Sequence, residues 1–193
     1  MQTEAHQILK FKALEFMYMY LDCRHVIMEM KVGSYIFDAV GCDGSRVYIV
    51  EAKQDVADFK RDCNDPDDIK EAISTYKQMI HETGEIKKYK KLIEDERKKS
   101  TKFFDDSLLK LSTARFIIAP EGLIENDMVP ENWGLVTEHQ QILKDCKRNS
   151  IDPKYAYKII REISVRQTRY YLEQQGVEFG KTIRFPERNL YNV

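Results

Sequence analysis

Phe37-Asp38-Ala39-Val40-Gly41-Cys42-Asp43-Gly44-Ser45-Arg46-Val47-Tyr48-Ile49-Val50-Glu51-Ala52-Lys53 is an apolar hairpin sequence that carries charges inside its strands. Asp43-Gly44 predicts a two-residue turn, because both residues tolerate positive φ. That turn pairs Cys42 with Ser45, Val40 with Val47, Asp38 with Ile49 and Ile36 with Glu51. Side chains alternate along each strand, so Asp38, Glu51 and Lys53 share one face. Asp38 and Glu51 are then diagonal neighbours, with Cα atoms roughly 7–8 Å apart. A charge buried in a strand costs free energy unless a partner compensates it. The alternative is a solvated cross-strand cluster, which would leave Ile36, Val40, Val47 and Ile49 on the exposed face.

Two converging carboxylates can share one divalent cation, and oxygen ligation favours Mg²⁺ or Mn²⁺. Lys53 stands one pleat beyond Glu51, within reach of a phosphate oxygen or a water.

The rest of the chain sets bounds. Its 193 residues are 42% hydrophobic and 33% charged, which suits a soluble globular domain with a sizeable core. The net charge of −1 argues against a uniformly basic coat but leaves room for a local basic groove. Cys23, Cys42, Cys63 and Cys146 form no C-x-x-C pair, so reduced thiols in a cytoplasmic protein are expected. No signal-peptide pattern or membrane-length apolar run is present.

Periodicity and capping signals predict an α/β order. Residues 3–21 read as a helix capped by Thr3. Val26–Met30 and Ser34–Val40 read as strands split by Gly33, followed by Val47–Ala52. Asp55 caps a short helix with Asp58 in its first turn, and Asp65-Pro66-Asp67-Asp68 starts a helix running to about His81. Phe116–Ala119 and Gly134–Thr137 read as buried strands, and Glu138–Lys147 as a helix. Strands alternating with helices imply a mixed sheet flanked by helices. Residues 1–150 are expected to form the main domain, and 151–193 a helical C-terminal extension.

Asp38, followed by Glu51-Ala52-Lys53 at the end of an apolar strand, resembles the PD-(D/E)XK nuclease superfamily. Glu51-Ala52-Lys53-Gln54-Asp55-Val56-Ala57-Asp58-Phe59 is similar to the corresponding run of its MmcB-like DNA-repair branch. Arg115-Phe116-Ile117-Ile118-Ala119-Pro120 and Val129-Pro130-Glu131-Asn132-Trp133-Gly134-Leu135-Val136 resemble later strands of that branch, so the likeness covers residues 5–147. Gln54-Asp55 departs from the family's small hydroxyl residue, and a lysine-rich insertion, 84–102, interrupts the pattern.

The resemblance implies a restriction-endonuclease-like fold and a catalytic set of Asp38, Glu51 and Lys53, with the Ala52 carbonyl as a further metal ligand. It also implies an acid on the first helix. Glu15 is the candidate there, on a stripe with Ile8, Phe11 and Tyr18, although an exposed position at the stripe's margin is the alternative. Gln54 could contact the scissile phosphate or the attacking water; Glu29 is a second candidate acid, with an ion pair as its favoured role. The four histidines are not spaced for metal ligation.

Residues 87–102 hold eight basic residues against three acids. Lys87, Lys88, Lys90, Lys91, Lys98 and Lys99 form either a solvated surface or a phosphate-contacting arm. After Asp152-Pro153, Tyr155, Ile159, Ile160, Ile163 and Val165 form an apolar stripe. Arg161, Arg166 and Arg169 lie near Tyr170 and Tyr171, a mixture suited to packing, self-association or nucleic acid.

The expected function is Mg²⁺- or Mn²⁺-dependent hydrolysis of DNA in repair, restriction or mobile-element processing. A homodimer is an open possibility, and no membrane partner is expected. The rivals are a DNA-binding or protein-interaction module without turnover, and an RNA nuclease.

Overall fold

The computed structural model describes residues 3–176. Four of its helices start at side-chain caps. α1 (Glu4–Met19) starts where the Thr3 side chain accepts the His6 N–H. Next come β1 (His25–Val32), β2 (Tyr35–Cys42) and β3 (Val47–Ala52). α2 (Val56–Asp62) is capped by Asp55, and α3 (Pro66–Thr83) by Asp65 with Pro66 behind it. α3 stops at Gly84, whose φ of 71° suits a residue without a side chain. α4 (Ile86–Arg97), a 3₁₀ turn (Lys102–Phe104) and α5 (Leu108–Leu111) lead into β4 (Ala114–Ala119). β5 (Gly134–Thr137), β6 (Ile142–Lys144) and α6 (Pro153–Gln174) complete the order.

The strands form one mixed sheet in the order β1-β2-β3-β4-β5-β6. β1, β2 and β3 are antiparallel, β3, β4 and β5 run parallel, and β6 returns antiparallel. α1 covers one face, burying Leu9, Ala13, Phe16 and Met17 against Ala39, Tyr48, Val50, Phe116 and Ile118. On the other face Phe37, Ile49, Phe103 and Trp133 share a core with Phe59 of α2 and with Ala156, Ile159 and Ile163 of α6. α3 and α4 stack on each other through Tyr76 and Tyr89, with ring centroids 6.3 Å apart. No residue of α3 is buried, and only Ile93 of α4 is.

Three sequence expectations change. The hairpin register is shifted by two residues: Cys42 pairs with Val47 and Val40 with Ile49. The Asp43 side chain takes the Arg46 N–H at 3.1 Å and its carboxylate pairs with the Arg46 guanidinium, which closes a four-residue loop instead of a two-residue turn. A shift of two preserves the faces. It also moves Asp38 from a diagonal position to one directly across from Glu51 by continuation of the register.

Second, the face of α1 that packs is Leu9, Lys10, Ala13, Phe16 and Met17. The expected stripe faces out, with Ile8 at 52%, Phe11 at 56% and Tyr18 at 61% exposure. This helix is apolar on more than one side, so spacing alone does not choose the side that packs. Third, 138–147 is not a helix. Gln140 adopts φ 67°, the Thr137 N–H reaches the Gln141 carbonyl, and β6 pairs back on β5. Sheet pairing overrides the local helical composition there.

The described part of the C-terminal segment is the helix α6, packed on the sheet. Besides its buried stripe, α6 sends Arg166 to the Glu29 carbonyl and Gln167 to the Val26 carbonyl of β1. These contacts occupy carbonyls of an edge strand. Val165, Tyr170 and Tyr171 are exposed. The remainder of the expected extension lies outside the described residues.

Candidate functional site

The last ladder pair of the hairpin is Ala39 with Val50. Beyond it, each strand's backbone is met by the other strand's acid. The Ala52 N–H donates to Asp38 Oδ2 at 2.9 Å, and the Asp38 N–H donates to Glu51 Oε2 at 3.4 Å. This exchange converges the two carboxylates at the open end of the hairpin and satisfies backbone donors that the ladder leaves over.

Lysines surround the acids. From α1, the Lys10 ammonium lies 3.0 Å from Asp38 Oδ1 and 2.7 Å from Glu29 Oε1. His6, one helical turn earlier, brings Nε2 to 3.4 Å from Asp38 Oδ1. Glu29 interrupts the β1–β2 ladder with φ 55°, a left-handed conformation uncommon for a side-chain-bearing residue. Its ion-pair role matches the sequence expectation.

On the far side, Lys102 Nζ stands 2.7 Å from Glu51 Oε1, and Lys53 Nζ stands 3.5 Å from the same oxygen. Lys53 also reaches Asp62 at 2.7 Å and Asp58 at 3.6 Å, both on α2. Lys10, Lys53, Lys102 and Glu51 are all buried.

Burial dominates the ionisation of Glu51. It pushes the carboxyl up to about 7, with Lys102 and Lys53 opposing the rise and Asp38 adding to it. Burial pulls the Lys53 pKa down, but Glu51, Asp62 and Asp58 outweigh it and hold the ammonium above its ordinary value. Lys10 behaves in the same way: desolvation lowers its pKa, while Glu29 and Asp38 raise it further. Asp62 lies below the usual carboxylate range, because its bond to Lys53 overcomes burial.

The structure thus brings Asp38, Glu51, Ala52 and Lys53 together. It does not bring Glu15 to them. The Glu15 carboxylate bonds Lys12 at 2.7 Å and Gln140 at 2.8 Å, on the outward side of α1. The exposed stripe it was assigned to accounts for this displacement. Gln54 adjoins Lys53, and its side-chain oxygen accepts from the Thr3 hydroxyl at the start of α1. Lys87, Lys88, Lys90, Lys91, Lys98 and Lys99 are exposed on α4 and just beyond it. Three of them pair locally: Lys88 with Glu85, Lys98 with Asp95 and Lys99 with Glu96.

His6, Lys10, Lys102 and Asp62 were not singled out from sequence as members of the site. Lys10 carried a readable signal, since it shares a helical stripe with His6, Ala13 and Met17. Lys102 carried none, because it comes from an irregular segment.

Fold and site define an α/β protein with a half-open acid–lysine cluster where two antiparallel strands part. No family model matches the chain, and no curated protein matches it. Among solved structures it is similar to a protein of unknown function from Silicibacter pomeroyi. The two share 12% identity over 94% of this chain and 100% of the other, with a TM-score of 0.60, a likeness of fold.

Proposed function

We propose that this chain is a metal-dependent nuclease of restriction-endonuclease-like fold that hydrolyses DNA phosphodiester bonds. The observation that supports the reading is the reciprocal exchange between Asp38 and Glu51, with the Lys53 ammonium on the Glu51 oxygen. The order acid, hairpin, acid-x-Lys is the sequence feature on which the superfamily resemblance rests.

The donor set suits a hard cation. Among the described residues no group of three His, Cys, Asp or Glu side chains gathers into a metal cage. Mg²⁺ commonly takes only one or two carboxylates and keeps several waters, so two acids suffice. Asp38 and Glu51 would hold the ion, with the Ala52 carbonyl as the resemblance implies. Once bound, such an ion supplies Lewis acidity and lowers the pKa of a water.

The chain's own groups do the rest. Lys53, beside Glu51, Asp58 and Asp62, is placed to contact a phosphoryl oxygen. Lys10 neutralises Asp38 from the α1 side and fixes its direction. The exposed Lys87, Lys90 and Lys91 are available for backbone phosphates, a sequence-independent and salt-sensitive mode of binding.

The test is nicking of supercoiled plasmid with Mg²⁺ or Mn²⁺. Nicking is expected with metal, none with chelator, and a fall of about 100-fold or more in Asp38→Asn, Glu51→Gln and Lys53→Ala. Cleavage that survives chelation, or that ignores Lys53→Ala, overturns the mechanism. Competition between DNA and RNA of matched length separates the two nuclease readings.

One observation favours the second reading, a DNA-binding or protein-interaction module without turnover. Each carboxylate already has an ammonium at 3.0 Å or closer, Lys10 on Asp38 and Lys102 on Glu51. Such a module retards DNA in a gel equally well with Asp38→Asn and nicks under no metal.

A further inference from the structure

We propose that Lys102 occupies on Glu51 the place that a divalent cation takes, so that ion and lysine compete for one carboxylate. The inference rests on the metal-binding reading above and adds a residue that sets how readily the site loads.

Lys102 is 6% exposed. Its ammonium sits 2.7 Å from Glu51 Oε1, donates to the Ile36 carbonyl at 3.0 Å and lies 4.5 Å from the centre of the Phe37 ring. A lysine head group buried this far needs a counter-charge. Among the described residues, Glu51 is the one carboxylate within ion-pair distance of Lys102.

The other two ammonium groups differ. Lys53 keeps Asp62 and Asp58 if Glu51 turns to a cation, and Lys10 keeps Glu29 if Asp38 does. Lys102 alone loses its one direct ion-pair partner and keeps only the more distant charge of Asp62. An arriving dication repels it while taking its partner, so Lys102 is the group that must yield.

Its backbone stays in place. The Trp133 indole N–H donates to the Phe103 carbonyl at 2.9 Å, and the two rings stand 4.7 Å apart. Yielding is therefore a swing of the four-carbon side chain, which leaves the 3₁₀ turn anchored. The freed ammonium then stands beside the loaded carboxylates, where an anionic ligand can take it up.

The probe is Mn²⁺ alone, added to the full chain without nucleic acid and above neutral pH, with free ion counted by electron paramagnetic resonance. Lys102→Met is expected to bind Mn²⁺ about tenfold tighter than wild type, the cost of displacing one charge-assisted bond. Lys99→Met removes an exposed lysine paired with Glu96 and gives the size of a plain charge effect, within about twofold. Equal affinity in Lys102→Met and wild type overturns the competition.

A second measurement needs no variant. Acylation of lysines in the wild-type protein, read by mass spectrometry, should speed up at Lys102 on saturation with Mn²⁺ and stay unchanged at Lys10. Labelling of Lys102 that ignores saturating Mn²⁺ overturns the competition as well. Mn²⁺ binding that is indifferent to Lys102 sinks this inference and spares the metal reading. Absence of Mn²⁺ binding in wild type and Lys102→Met alike sinks both.

Discussion

Two sets of lysines in this chain obey different physics. Lys10, Lys53 and Lys102 are buried and meet acids at 2.7–3.6 Å, all but the Lys53–Glu51 pair brought together from different elements. Lys88, Lys98 and Lys99 are exposed and meet acids three residues away in their own segment. The distances overlap; the surroundings do not. A surface pair gains about 0–1 kcal/mol, whereas removing one partner of a buried pair costs about 3–5 kcal/mol because a charge is left stranded. Ion-pair geometry alone therefore says little about which lysines matter; the number of stranded acids says much more.

The largest effect is expected from Lys53→Met, which leaves Glu51, Asp58 and Asp62 facing one another. Urea unfolding should show a loss of about 4 kcal/mol. A loss below about 1 kcal/mol would put the cluster on the same footing as the surface pairs and break the contrast.

Glu51→Gln comes next and is read through pH. Burial holds Glu51 protonated up to about 7, against an ordinary 4.5. Below the ordinary value both folded and unfolded chains carry the proton. Between the two values the folded chain keeps a proton that the unfolded chain has released, so stability falls as pH rises and levels off above about 7. Melting in chelator across this window should show wild type losing on the order of 3 kcal/mol relative to Glu51→Gln. Parallel profiles would show that the acid is not desolvated.

On the exposed side, replacing Lys87, Lys90 and Lys91 together by Gln should move stability by no more than about 0.5 kcal/mol. The same triple variant should lower the slope of log DNA affinity against log salt by about 2–3 if all three touch phosphates. An unchanged slope assigns α4 to solvent alone. The smallest effect is expected for Lys99→Ala, under about 0.5 kcal/mol by thermal melting.

What was legible in the sequence follows the same division. The charges in the hairpin were readable because period-two alternation survives a register slip of two, so Asp38 and Glu51 converge in either register. The register itself was not readable. Asp43 has two competing uses, as a turn centre or as an acceptor for the Arg46 N–H, and the second prevails. Helix starts at Thr3, Asp55 and Asp65 were readable because caps are local chemistry. The packed face of α1 was not, since Ile8, Phe11 and Tyr18 are as apolar as Leu9, Phe16 and Met17. Glu15 was misplaced for that reason, and Lys10 was overlooked. β6 exists because β5 offers it an edge, which no window confined to 138–147 contains.

The open end of the hairpin has one more consequence. The amides of Ala52 and Asp38 are guarded by carboxylate oxygens instead of by carbonyls of a ladder. Their protons are thus built-in reporters: anything that draws electron density from either acid registers first in two backbone resonances. Nuclear magnetic resonance of these two positions would follow the fate of each carboxylate separately, with no label attached and no turnover required.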